Sequence, residues 1–322
     1  MLSDFINQLN EWGSSKTPFL FLIDFEKVKP LAWRADQINS DELLFDINGF
    51  TNQRAITPQQ KEVVLKITPP SFEAYKEKFD HVHRNLNYGN SFLTNLTVKS
   101  VVELNASLET LFYLSKARYK CWLNNQFLFF SPESFVQIKN GNIYSFPMKG
   151  TIDASIPDAR KLILENKKEM AEHITIVDLI RNDLSQVAKE VKINRFRYVD
   201  EITTLDKKLL QVSTEITGKL SSDYSKRIGE IIFSLLPAGS ISGAPKQKTV
   251  QIIQEAEGEK REYYTGIFGY FDGENVDSGV AIRFIEQKEN QLFYRSGGGI
   301  TAQSSASDEY QEVIQKIYVP IA

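Results

Sequence analysis

Cysteine is almost missing from this 322-residue chain: Cys121 stands alone. A single thiol excludes an internal disulfide and a cysteine-ligated zinc cluster. A surplus of positive charge is missing too. The 38 Lys and Arg against 41 Asp and Glu leave a net charge of -3, so no basic field argues for nucleic acid. The longest apolar runs, such as FLFLI at Phe19–Ile23, are too short to span a bilayer. The opening MLSDFINQLNEWGSS lacks the basic-then-apolar pattern of a secretory signal. Long linkers, low-complexity tracts and internal repeats are absent, as is the GxxxxGK[ST] spacing of a P-loop. These absences leave a soluble, cytoplasmic globular protein as the expectation.

What is present is a mixture of strand-like and helix-like stretches. PFLFLIDF (Pro18–Phe25) reads as a buried strand. PSFEAYKEKFDHVHRNLNYGNS has apolar residues at helical spacing and stops at Tyr88-Gly89-Asn90. SFLTNLTVKSVVEL alternates as a strand does. The stretch from Ala117 to Gly150 reads as three strands with a hairpin at Asn140-Gly141. Pro157 to about Val187 is helical in pattern, with Met170, Ile174 and Val177 as an apolar stripe. LLQVSTEITGKL, YYTGIFGYFD, SGVAIRFIEQ and QLFYRSG read as strands, YSKRIGEIIFSLLP and PKQKTVQIIQEAEG as helices, and GGGI as a turn before a closing helix. Strands and helices mix without strict βαβ alternation, which predicts an α+β fold built on large antiparallel sheets.

Three constellations carry chemistry. The first is Lys149, between Met148 and Gly150 in PMKGT. A two-residue hairpin turn would set Glu133 opposite Met148, with Glu133 and Lys149 on opposite faces. A three-residue loop or a bulge would bring them to one face. Either way a carboxyl and an amine lie near each other where the strands end. The simpler alternative is a cross-strand ion pair worth little. The second is two pairs of helical i,i+3 glutamates, Glu169 with Glu172 and Glu309 with Glu312. Four carboxylates from two helices could hold a hard divalent ion such as Mg²⁺, although Glu312 could equally pair with Lys316 at i,i+4. The third is glycine. LLPAGSISGAPKQK places small residues and Lys246 before a helix, where exposed N–H groups favour an anion. RSGGGITA allows close backbone approach to a ligand. Arg283, inside a strand pattern, could clamp a carboxylate bidentately.

PMKGT, EHITIVDLIRNDLSQVA, LLPAGSISGAPK, YYTGIFGYF, AIRF and SGGGI before a glutamate-bearing helix occur in that order. In this the chain resembles the chorismate-utilising enzymes, from about Tyr75 to the C-terminus. The resemblance implies one α+β catalytic domain over 1–322, with two large antiparallel sheets flanked by helices and a shortened, poorly matching part at 1–74. It implies Mg²⁺ held by Glu172, Glu309 and Glu312, with Glu169 nearby. Glu133 is implied as the general acid for the leaving 4-hydroxyl. Arg283, Tyr264 and the backbone at Ser240 and at Gly297, Gly298 and Gly299 would hold the substrate carboxylates, with Lys246 in the same loop-to-helix segment. Lysine at 149 is similar to members that make 4-amino-4-deoxychorismate from chorismate and ammonia, where it is the covalent nucleophile; its amine would have to be deprotonated, and hence depressed in pKa. Their ammonia comes from a glutamine amidotransferase subunit, component II. Leu93 stands where isochorismate-forming members use a lysine to activate water, and Gln211 where pyruvate-releasing members have a histidine.

Overall fold

The FLFLI run does form a strand, and its uninterrupted burial has a direct cause. Phe19, Phe21 and Ile23 enter one apolar cluster while Leu20 and Leu22 enter another on the opposite face. A strand covered on both sides has no need of polar alternation. The computed structural model describes residues 2–56, 62–203, 208–243 and 245–321.

The chain begins with α1 (Leu2–Ser14), β1 (Phe19–Ile23), β2 (Leu31–Arg34), β3 (Leu43–Ile47), β4 (Phe50–Thr51) and β5 (Leu65–Thr68). Next comes α2 (Phe72–Asn87), whose first turn is capped by the Ser71 hydroxyl accepting from the Ala74 N–H. It ends where Gly89 turns left-handed at φ 76°. β6 (Thr94–Leu104) and α3 (Leu108–Leu114) follow. The stretch expected to hold three strands holds five: β7 (Tyr119–Leu123), β8 (Phe127–Ser131), β9 (Ser134–Lys139), β10 (Asn142–Ser145) and β11 (Met148–Asp153). The helical stretch after Pro157 divides into α4 (Ala159–Glu165) and α5 (Lys167–Ser185). Asn166 ends the first and caps the second, its side chain accepting from the Glu169 N–H. The buried stripe of α5 is His173, Ile176, Val177, Ile180 and Leu184; Ile174 faces outward, contrary to the expected stripe. The chain closes with β12 (Lys189–Thr203), β13 (Lys208–Lys219), α6 (Ile228–Ser234), α7 (Gly239–Ser242), α8 (Lys246–Glu257), β14 (Ile267–Phe271), β15 (Val276–Val280), β16 (Phe284–Lys288), β17 (Gln291–Ile300) and α9 (Ala306–Gln315).

Two large sheets result, as expected of an α+β fold. One runs β11-β13-β10-β9-β15-β14-β1-β2 with β12 also on β13; the other runs β4-β3-β7-β8-β16-β17-β6-β5. Every strand pairing among the described residues is antiparallel. Leu20, Leu22, Phe45, Phe127, Phe129, Phe268 and Phe284 fill the space between the sheets. Helices α5 and α6 cover the first sheet, and α2, α8 and α9 cover β6 and β17 of the second. The first seventy residues are woven in, since β1 and β2 extend one sheet and β3, β4 and β5 the other.

The strands change sheet twice at one level. β8 belongs to the second sheet and β9 to the first, so the link Pro132-Glu133 is a crossing. β15 belongs to the first and β16 to the second, so Ala281-Ile282-Arg283 is another. SGVAIRFIEQ is therefore two strands, and Arg283 sits between them at φ 55° instead of inside one. The crossings are bonded to each other: the Val280 N–H donates to Glu133 O at 3.0 Å and the Phe130 N–H to Arg283 O at 3.2 Å. Strands that change sheet need such irregular corners.

Candidate active site

Lys149 is placed by a bulge. The hairpin turn forms as expected, with Asn142 opposite Lys139 and both Asn140 and Gly141 at positive φ (51° and 72°). The pairing with β9 then stops, while β10 also pairs with β13, and after Phe146-Pro147 β11 continues along β13. Lys149 is thus not cross-strand from Glu133. On β13, Met148 pairs with Ser213 and Thr151 with Gln211, which leaves Lys149 and Gly150 in an irregularity, Gly150 at φ 87°. Such a bulge re-aims a side chain. Here it sends the Lys149 ammonium to Glu172 on α5, 2.7 Å away. Burial pulls the Lys149 pKa down, but Glu172, with Glu169 and Glu312 beyond, outweighs it and holds the amine above its ordinary value. The expected depression is not found while these carboxylates face the amine uncompensated.

Glu133, on its crossing, accepts a hydrogen bond from the Ser240 hydroxyl at 2.5 Å. Burial pushes its carboxyl up, against the opposing pull of Ser240, Arg283 and Lys316. An acid that keeps its proton above the usual carboxylate range can serve as a proton donor. Arg283 lies over the Tyr318 ring, 5.1 Å from its centroid, and donates to that hydroxyl at 3.4 Å. Among the described residues no carboxylate pairs with this guanidinium, so it is available to an anionic ligand. Tyr264 is buried, which pushes its phenol to about 12.

Lys149, Glu133, Ser240, Tyr264, Arg283 and Gly297–Gly299 line one cleft, as do Leu93 and Gln211. It encloses about 280 Å³ of water-accessible space, room for a small organic molecule and not for a polymer. Lys246 is not among the lining residues, contrary to expectation. The three glycines are strand rather than turn: they lie in β17, paired in order with Thr97, Leu96 and Asn95 of β6. On its other side β17 pairs with β16 only up to Arg295 opposite Phe284. Beyond that point its alternate backbone groups lack a neighbouring strand, and glycine leaves room to reach them. Asn95 Oδ1 and Ser296 Oγ, both of cleft residues, are buried without a hydrogen-bond partner.

The remaining glutamates stand behind the cleft. A Cβ on Gly298 would lie 3.4 Å from Glu309 Oε2 and 3.7 Å from Glu312 Oε1; one on Gly150 would lie 3.4 Å from Glu169 Oε2. Burial raises Glu309, and Glu312 adds to that. Glu169 Oε2 is buried with no hydrogen-bond partner. An oxygen-only donor set with an orphaned oxygen fits a hard divalent cation in its chemistry. As they stand, among the described residues, no three acidic, histidine or cysteine side chains converge closely enough to grip one ion. Ammonium groups fill that role instead, Lys149 on Glu172 and Lys316 on Glu312 at 2.5 Å.

Lys316 is one site residue missed in sequence. Its ammonium also donates to Gly297 O at 3.1 Å and it lines the cleft. Its i,i+4 spacing from Glu312 explained it away as a helix pair. Arg295 and Thr265 were missed as well. Arg295 pairs with Glu286 at 3.1 Å. Thr265, which lines the cleft, is held at φ 59°, a costly setting for a β-branched residue. His173 is buried and bonded to the Thr214 hydroxyl at 2.6 Å.

The pattern described as chorismate binding enzyme matches residues 23–322, starting well before Tyr75. The chain belongs to this family. It is 50% identical over 320 residues to an "Uncharacterized PabA-like protein" of Haemophilus influenzae, covering 99% of this chain and 97% of that one. It is 32% identical to "Aminodeoxychorismate synthase component 1" of Salmonella typhimurium, over 76% of this chain and 56% of that one. Among solved structures, a putative 2,3-dihydroxybenzoate-specific isochorismate synthase, DhbC from Bacillus anthracis, superimposes with a TM-score of 0.73 at 19% identity, over 98% of this chain and 86% of that one. Anthranilate synthase component I from Streptococcus pneumoniae gives 0.67 at 25% identity, over 79% and 58%. The fold is thus that of chorismate-utilising enzymes. No described helix is long and apolar enough to cross a membrane.

The unpaired guanidinium of Arg283 gives a direct expectation. Charge-assisted hydrogen bonds to a carboxylate are worth about 1.5–3 kcal/mol. Arg283→Gln should therefore raise KM for chorismate roughly ten- to hundredfold, with a smaller change in kcat, in steady-state kinetics.

Proposed function

We propose that the chain is the synthase component that aminates chorismate at C4, releasing the 4-hydroxyl and yielding 4-amino-4-deoxychorismate, the precursor of 4-aminobenzoate and folate. The observation that carries this is a lysine in the cleft that also holds the raised acid Glu133. The Lys149 amine attacks C2, the ring electrons shift, and the C4–O bond breaks as Glu133 protonates the leaving oxygen to water. Ammonia then attacks C4 and the electrons return to expel the lysine; chorismate and ammonia are consumed and water is released. Two easier displacements replace one hard one. Leu93 at the cleft wall offers nothing to activate water for hydration at C2. Arg283, with the free backbone of β17, would hold the substrate carboxylates.

Glu172, Glu309 and Glu312, with Glu169, would hold Mg²⁺. A bound divalent cation supplies positive charge for a substrate carboxylate and offsets the glutamates that now raise the Lys149 pKa. At about a hundred times its Kd such an ion stabilises the fold by about 2.7 kcal/mol. Glu309→Gln should raise basal melting temperature slightly, by relieving like-charge repulsion, and should abolish the Mg²⁺-dependent increase in a thermal melt. A full Mg²⁺ response in that variant would remove the metal assignment.

Ammonia is proposed to come from a separate glutamine amidotransferase subunit, in keeping with relatives named as component 1. Cys121 cannot serve as a glutaminase nucleophile, for it is fully buried between the sheets and burial raises its thiol far above the ordinary value. The test of function is to supply pure protein with chorismate, Mg²⁺ and ammonium and identify the product by mass and absorbance. The 4-amino compound is expected; anthranilate with pyruvate would overturn the proposal.

A further inference from the structure

Lys246 was expected to meet the ligand, yet its ammonium is committed elsewhere. It donates to Leu235 O at 2.8 Å and pairs with Asp183 Oδ2 at 2.7 Å. The pair is well buried, with side-chain exposures of 18% and 9%. One amine thereby joins the end of α6, the inner face of α5 and the start of α8. The segment those elements bracket includes α7, which carries Ser240. Gly239 rests on Asp183 so closely that a Cβ there would lie 3.0 Å from Asp183 Oδ2. Ser240 in turn donates its hydroxyl to Glu133.

We propose that the Asp183–Lys246 pair is a positioning latch that fixes α7 so that the Ser240 hydroxyl stays on the Glu133 carboxyl. The inference rests on Glu133 being the proton donor. Burial raises Asp183 and lowers Lys246, each opposed by its partner, and a buried pair loses far more when one member is removed than an exposed one does. The groups that face Glu133 are Ser240 from α7, Arg283 from the β15–β16 crossing and Lys316 just after α9. Of these only Ser240 is tied to the latch. Its hydrogen bond favours the ionised carboxylate, so losing it raises the Glu133 pKa further. The alkaline limb of activity, where the acid loses its proton, then moves to higher pH.

The test is the pH profile of kcat/KM for chorismate consumption, followed whatever the product. Ser240→Ala should move the alkaline limb up by about one to two pH units. Lys246→Met should move it by a similar amount, and Lys246→Arg should restore the original limb. The double variant Lys246→Met/Ser240→Ala should shift no further than either single one, since both remove the same contact. A wild-type limb in Lys246→Met, or shifts that add, would overturn the latch. Asp183→Asn serves the same comparison should Lys246→Met fail to fold. An unmoved limb in Ser240→Ala would overturn the acid role of Glu133, and the latch with it, which separates that failure from failure of the latch alone.

Discussion

Lys149→Ala is expected to lose formation of the 4-amino product by on the order of 10³-fold or more while retaining chorismate binding. The magnitude follows from what a positioned nucleophile supplies, since effective molarities of well-oriented groups reach about 10⁵–10⁸ M. Binding survives because Arg283, Tyr264 and the β17 backbone do not depend on the amine. Glu133 also survives, so ammonia can attack C2 in the vacated space and give the 2-amino isomer. A simple surface ion pair would behave otherwise, costing under ~1 kcal/mol and leaving the product unchanged. Product mass and absorbance at saturating ammonia decide between these. The variant also strands Glu172 among the other carboxylates, so its melting temperature measured without a divalent cation falls. Wild-type output of 4-amino product from Lys149→Ala would mean that the lysine is not the nucleophile.

Glu133→Gln is expected to reduce turnover by roughly 10²–10⁴-fold, the usual contribution of general acid catalysis. Glutamine can keep the hydrogen bond to Ser240 but has no carboxyl proton to give, so binding and fold should change little. The sign of the pH dependence is specific. The carboxyl must be protonated, so activity falls as pH rises through its raised pKa, and this limb should vanish in the variant. Lys149 imposes the opposite demand, because its amine must be neutral. Once the cation has offset its glutamates, the amine sets the opposing, acidic limb, which stays in the variant. A Glu133→Gln enzyme with wild-type kcat would exclude this carboxyl as the donor.

Much of the site was legible because motif residues are local in sequence and keep their order. The FLFLI strand, the Asn140-Gly141 hairpin and the cap and stop of α2 follow from short-range rules. Other features do not. SGVAIRFIEQ looks continuous because residues on both sides of Arg283 are apolar, and only the different partners of β15 and β16 reveal the break. SGGGI read as a turn because glycine disfavours strands, yet pairing with β6 decides the outcome. β12, KEVKINRFRYVDEIT, has no clear apolar alternation and went unseen; it is held by its ladder with β13. The Lys149–Glu172 contact joins a bulge to a helix, and the Lys246–Asp183 contact joins two helices. No hairpin register or local spacing can express such contacts.

The paired crossings at Glu133 and Arg283 have a mechanical consequence. Two strands stitched from sheet to sheet, and hydrogen-bonded to each other there, form a seam along the floor of the cleft. The sheets cannot slide apart at that level without breaking backbone bonds on both. On the helical side, Lys246 at the start of α8 is tied instead to Leu235 O and to Asp183 of α5. The acid and the guanidinium thus sit on the stitched sheets, and the serine that touches the acid sits on the helical wall.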